Sequence, residues 1–120
     1  MTIRNQLTRG VLAMWIVATY SHAQTYSFRN VAGNSSIAAG WADGANAGAQ
    51  FQYPAGVAVD SQGIVYVADQ FNFVIRQITP LGSNWVVATI AGSPGQINSS
   101  RIQDGTNSHA LFNAPAGIAV

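Results

Sequence analysis

Asp43, Asp60, Asp69 and Asp104 are the chain's only side-chain carboxylates, because its 120 residues include no Glu. Paired carboxylates could do general acid–base work or bind calcium through oxygen, but none of the four follows an EF-hand spacing. Asp60 and Asp69 stand at opposite ends of one apolar stretch, which argues against a catalytic pair. The histidines are His22 and His109, a poor ligand set for a transition metal, and there is no Cys to supply a thiolate site or nucleophile. Without Lys, Schiff-base chemistry and a phosphate-loop lysine are excluded. Ser, His and Asp are all present, but no nucleophile-elbow motif accompanies them. A formal charge of +1 offers no basic field for nucleic acid. What remains as chemistry is a set of acidic and amide residues at Gly-rich places, so the elements that carry them decide their meaning.

The first 23 residues read as an address. Arg4 and Arg9 precede the uncharged run Val11–Tyr20, which leads into Ser21-His22-Ala23. A positive start, a short apolar middle and a small-x-small exit form the pattern of a secretory signal peptide, predicting a helix over 1–23 and cleavage after Ala23. The run is well short of the roughly 20 residues needed to span a bilayer, so no stable membrane span is expected. The mature chain would begin at Gln24 with 97 residues and three Arg against four Asp, a net charge of −1. Its location would be extracytoplasmic.

Within 24–120 the chain repeats itself. Asp43-Gly44-Ala45-Asn46 returns as Asp104-Gly105-Thr106-Asn107, and Ala49 and Phe51 return as Ala110 and Phe112. Pro54-Ala55-Gly56-Val57-Ala58-Val59 returns as Pro115-Ala116-Gly117-Ile118-Ala119-Val120. A weaker match joins Val31-Ala32-Gly33 to Ile90-Ala91-Gly92. Self-similarity at such a period signals stacked supersecondary units. Between the repeated ends, Gly56–Val59 reads as a strand and Asp60-Ser61-Gln62-Gly63 as a tight turn. In that turn Asp accepts local N–H groups and Gly takes positive φ. Further strands follow at Ile64–Ala68, Phe73–Thr79 and Trp85–Ile90. Asp69–Asn72 forms the intervening turn, and Pro80–Asn84 a break expected because Pro lacks the ladder donor. Four antiparallel strands per unit make one propeller blade, so the fold class is all-β.

These residues resemble the NHL-repeat family. The resemblance is carried by Phe51-Gln52-Tyr53-Pro54-Ala55-Gly56-Val57-Ala58-Val59-Asp60, Gly63-Ile64-Val65-Tyr66-Val67-Ala68-Asp69, Asn72 and Val74-Ile75-Arg76-Gln77-Ile78-Thr79-Pro80, and extends over about residues 28–120. Phe73 departs from it, where the family often has a second polar residue. The resemblance implies a complete blade over 55–91, with 28–33 as the outer strand of a neighbouring blade and 116–120 as the start of the next. One blade leaves two apolar faces uncovered, so these residues are expected to be the start of a longer propeller or a truncated product. Further blades in cis or self-association would cover the faces.

An up-and-down blade places the 40–54 approach, the 69–73 turn and the 92–115 loop at one end. That end collects Asp43, Asp69, Asn72, Asp104 and His109, beside Phe51, Phe71 and Phe73, as possible ligand-face residues. The plainer reading is structural, since Asp-Gly pairs make turns and Asn72 sits in one. Pro54, Gly56, Asp60, Gly63, Arg76, Pro115 and Gly117 read as repeat-structural residues. The leading functional expectation is a secreted binding or interaction scaffold. The alternative, implied by similar propellers, is the front of a metal-dependent lactonase or lyase-like enzyme whose catalytic residues lie mostly beyond residue 120. Calcium would then belong to the full-length protein. No other cofactor is expected, and the missing Glu weakens that version.

Overall fold

The computed structural model describes residues 25–34, 38–95 and 102–120. The expected signal helix and the Ala23 cleavage point lie outside them. The described chain is all-β, with one five-stranded antiparallel sheet: β1 (Gly44–Ala45), β2 (Pro54–Val59), β3 (Val65–Asp69), β4 (Val74–Leu81) and β5 (Asn84–Ala91), in the order β1-β5-β4-β3-β2. The meander from β2 to β5 has the topology of one propeller blade. Short 3-10 turns occupy Asn46–Gly48, Gln70–Asn72 and Asn107–His109. No helix among the described residues is long and apolar enough to cross a membrane.

The β2–β3 hairpin is closed by the Asp60 turn. Asp60 Oδ1 accepts the N–H groups of Gln62 (2.8 Å) and Ile64 (2.9 Å), while the Tyr66 hydroxyl donates to Oδ2 at 3.2 Å. Gly63 takes φ 79°, open to glycine at little cost. The β4–β5 turn is tighter than the expected five-residue break, for β4 runs through Pro80 to Leu81 and only Gly82-Ser83 connects the strands. Leu81 and Asn84 flank this two-residue turn, so Pro80 and Trp85 form the next, non-hydrogen-bonded pair. The N–H that proline lacks would therefore point away from β5, and β3 has already ended opposite Ile78. Its absence leaves the ladder intact.

Residue parity fixes the faces. Val57, Val67, Arg76, Ile78, Val87 and Thr89 share one face by register, and Ala68 and Gln77 lie on the other. The core sits on the first face, where Ala49, Val67, Ile78 and Val87 are buried together, with Val31, Ala32, Phe51, Val65 and Trp85 packed around them. The arm from residue 42 to 51 lies over this face. Near its start it forms β1, a short edge strand on β5 that the Asp-Gly pattern did not announce, pairing Gly44 with Val87 and Ala45 with Val86. Residues 28–33, expected as an outer strand, and 116–120, expected to begin the next unit, join no ladder here.

The repeat visible in the sequence is also a repeat of backbone geometry. Asn46 and Asn107 adopt φ 49° and 52°, Tyr53 and Ala114 φ 50° and 51°, and Gly33 and Gly92 φ 87° and 95°. The Gly33 N–H donates to the Asn46 carbonyl at 2.9 Å, and the Gly92 N–H to the Asn107 carbonyl at 3.0 Å. Each arm is thus tied to the glycine that ends the preceding stretch. The repeated Pro-Ala-Gly brings successive units together. A Cβ on Gly56 would stand 2.5 Å from the Ala116 carbonyl oxygen, so only glycine admits that approach.

Candidate functional site

At the centre of the arm-covered face lies Arg76, fully buried on β4. Its Nη1 donates to the Asp69 carboxylate (2.9 Å) and to the Gln50 carbonyl (2.9 Å). Its Nη2 donates to the Asp43 carboxylate (2.8 Å) and to the Ala42 carbonyl (2.9 Å). The Phe51 ring lies 5.0 Å from the guanidinium carbon, within cation–π range. Four N–H donors are satisfied, and Nε is buried without a partner among the described residues. A guanidinium suits this place because its rigid fork presents several donors at fixed angles, which a lysine ammonium cannot match.

Asp69 is held from all sides. Its Oδ1 accepts the Gln52 N–H at 2.8 Å, and its Oδ2 accepts Asn72 Nδ2 at 2.8 Å besides Arg76. Asn72 is also buried and donates to the Gly40 carbonyl at 2.7 Å. Asp43, whose side chain is half exposed, accepts the Thr89 N–H (3.0 Å) and hydroxyl (3.0 Å) at the outer strand. Each carboxylate thus receives at least three donors, leaving little capacity for a proton-transfer or metal-binding role.

The structure therefore gathers three of the five expected ligand-face residues, Asp43, Asp69 and Asn72, around one arginine. It places the other two elsewhere, for Asp104 and His109 lie exposed on the second arm, away from Arg76. Among the described residues no group of His, Asp, Glu or Cys is arranged to hold a metal ion. Asp60 sits at the opposite end of the sheet. Partial desolvation pushes its carboxyl up, but the N–H groups of Ile64 and Gln62 and the Tyr66 hydroxyl outweigh this and hold it below the ordinary value. Desolvation also raises the Tyr66 phenol, aided by its hydrogen bond to the Asp60 carboxylate.

Gln50, Asn46 and Thr89 escaped the sequence reading, although all three fasten the arm. Asn46 accepts the Trp85 N–H at 2.8 Å and donates to Asn84 Oδ1 at 3.0 Å. Its recurrence as Asn107 was the available signal. Beside this network the loop end forms a recess of about 310 Å³ bounded by Trp41, Gln52, Phe71, Asn72, Phe73 and Gly95. Phe73 closes the 3-10 turn in the left-handed conformation, φ 58° and ψ 36°, which explains why a polar residue suits this place.

Comparison with known proteins agrees with this architecture. The sequence profile of the NHL repeat matches residues 51–72. NHL repeat-containing protein 2 from Homo sapiens is 31% identical over 85 residues, covering 70% of this chain and 11% of the relative. The Gallus gallus protein of the same name is 32% identical over 85 residues, with the same coverage. The chain thus spans about a tenth of the length of these curated relatives. Among solved structures, an auxiliary nutrient binding protein from Bacteroides thetaiotaomicron matches with a TM-score of 0.57 and 28% identity, over 74% of this chain and 22% of that one. With the internal repeat, the blade-like meander and these relatives in agreement, the chain carries an NHL repeat and is similar to NHL repeat-containing proteins over most of its length.

Proposed function

We propose that the chain is part of an exported NHL-type scaffold that binds its ligand at the loop end of the sheet. The observation that carries this reading is the commitment of Asp43, Asp69 and Asn72 to Arg76 and to backbone groups. Residues fixed this way make a rigid platform and a poor acid–base pair. Similarity to a nutrient binding protein supports a binding role. The pattern over residues 1–23 supports export, with Gln24 as the mature N-terminus. Exposed Val57 and Val59 on the core face, and the approach of Ala116 to Gly56 on the other, suit further units of the same design in cis.

The competing reading is an enzyme front end that uses calcium. Thermal unfolding of the chain with and without calcium, for wild type and Asp69→Asn, separates the two. The scaffold reading expects a midpoint indifferent to calcium, a similar loss in Asp69→Asn under both conditions, and no lactone hydrolysis. A calcium-dependent rise abolished by Asp69→Asn, together with hydrolysis, would replace it with the enzyme reading. Mass analysis of the secreted product tests export: a start at Gln24 is expected, and retention inside the cell with Met1 intact contradicts it.

A further inference from the structure

We propose that the recess bounded by Trp41, Gln52, Phe71, Asn72, Phe73 and Gly95 is a binding site for a neutral saccharide. This deepens the binding reading above and rests on it. At about 310 Å³ the recess has room for a small ring compound. Its walls are aromatic and open to solvent: Trp41 is 54% exposed and Phe71 46%, and Tyr53, 69% exposed, lies against Phe71 with the rings tilted by 36° and centroids 4.6 Å apart. The indole of Trp41 lies across Gly95, near enough that a Cβ there would stand 3.6 Å from it.

The repeat does not require the Trp41 and Tyr53 rings. Between the two arms the structural positions are kept, as Asp43/Asp104, Asn46/Asn107, Ala49/Ala110, Phe51/Phe112 and Pro54/Pro115. In and beside the recess they are not: Trp41 corresponds to Ile102, Gln52 to Asn113 and the flanking Tyr53 to Ala114. Phe73 adds a second observation. A bulky residue is strained in the left-handed region, where Asn or Gly would fit more easily. Strain of this kind concentrates at functional sites, and here it sets a ring into the recess wall.

Charge and hydrogen bonding select the ligand. Asp69, behind the recess, is paired with Arg76, and Asn72 donates to Gly40 and Asp69, so among the described residues no free charge faces a guest. A charged ligand would lose hydration without a counter-ion. A purely apolar one would cover the Gln52 side-chain amide and leave it unpaired. A sugar ring satisfies both conditions, laying C–H groups on the aromatic faces and offering hydroxyls to the amide.

The test is titration of the whole chain with cellohexaose and maltohexaose, with indole and tetramethylammonium as apolar and cationic comparators. Binding is followed by tryptophan fluorescence and amide chemical shifts. We expect at least one oligosaccharide to bind with Kd on the order of 1 mM, weakened about tenfold by Trp41→Ala or Gln52→Leu. Gln52→Leu keeps the backbone bond to Asp69, and an unchanged thermal midpoint separates its loss of binding from unfolding. Phe73→Asn should raise the thermal midpoint while weakening binding, a divergence that a merely structural Phe73 would not produce. Silence of both oligosaccharides, or binding unmoved by Trp41→Ala and Gln52→Leu, overturns the proposal. Preference of the recess for indole or tetramethylammonium overturns the saccharide class and leaves the scaffold reading standing. Failure of all four probes together with calcium stabilisation through Asp69 overturns both.

Discussion

The two arms of this chain, residues 43–54 and 104–115, share a backbone and differ in what they rest on. Both place an Asn in the left-handed region, accept a glycine N–H on that Asn carbonyl and bury a small residue, Ala49 or Ala110. Among the described residues, the first arm covers a sheet with an arginine. Asp43 bridges Arg76 and Thr89, while Asp104 has no ion pair among the described residues. Asn46 engages Trp85 and Asn84, while Asn107, among the described residues, serves through its backbone. The arm's shape is therefore local, set by glycines and left-handed residues, and its anchoring is a separate contribution from the sheet.

Substitutions can break that distinction or sharpen it. The largest effect is expected from Arg76→Leu, which leaves a buried carboxylate unpaired and should cost about 3–5 kcal/mol in urea unfolding. By contrast, Asp104→Asn on the second arm should stay within about 0.5 kcal/mol. A comparable loss at both would mean that the arms are anchored alike. Next comes Gly92→Ala, whose Cβ would stand 2.5 Å from the Phe73 carbonyl oxygen, against 3.2 Å from the movable Phe51 ring for Gly33→Ala. Both positions have positive φ, so each substitution should destabilise, by roughly 1–3 kcal/mol, with Gly92→Ala the worse. Asn46→Ala should cost about 1–2 kcal/mol through the orphaned Trp85 N–H, and Asn107→Ala about half as much.

The smallest effect concerns pH and the far end of the sheet. The folded Asp60 carboxyl titrates below its unfolded value, so its contribution is present above the ordinary carboxylate range and fades as pH falls through the lowered value. Asp60→Asn should flatten that acid dependence in unfolding curves measured from neutral pH downward, while leaving the difference between the arms unchanged.

Much of this molecule could be read from residue order. The Asp60 turn was legible because its backbone donors lie within four residues, and the strands because β-branched runs are bounded by Gly and Asn. The arms were legible as a repeat. Their anchoring was not, because Arg76 meets Asp43 across 33 residues and a single sequence does not encode that pairing as a spacing. Pro80 misled for a related reason: whether a missing N–H matters depends on which side of the strand it faces. β1 was hidden in an Asp-Gly pattern that normally signals a turn. The aromatic recess was half visible, since Phe71 and Phe73 fell at the loop end while Trp41 and Gln52 are brought there only by the arm.

The Arg76 network also sets an order of events. Asp69, Asn72 and Arg76 lie within eight residues of one another, on the β3–β4 hairpin, whereas Gln50, Ala42 and Asp43 approach from 26 to 34 residues away. Closing the short loop is fast and entropically mild, and closing the longer one is slower. The hairpin should thus form first, with its arginine half-matched and still wet, and the arm should condense on it later. Substitutions at Asp69 would then slow folding, while those at Asp43 would chiefly hasten unfolding.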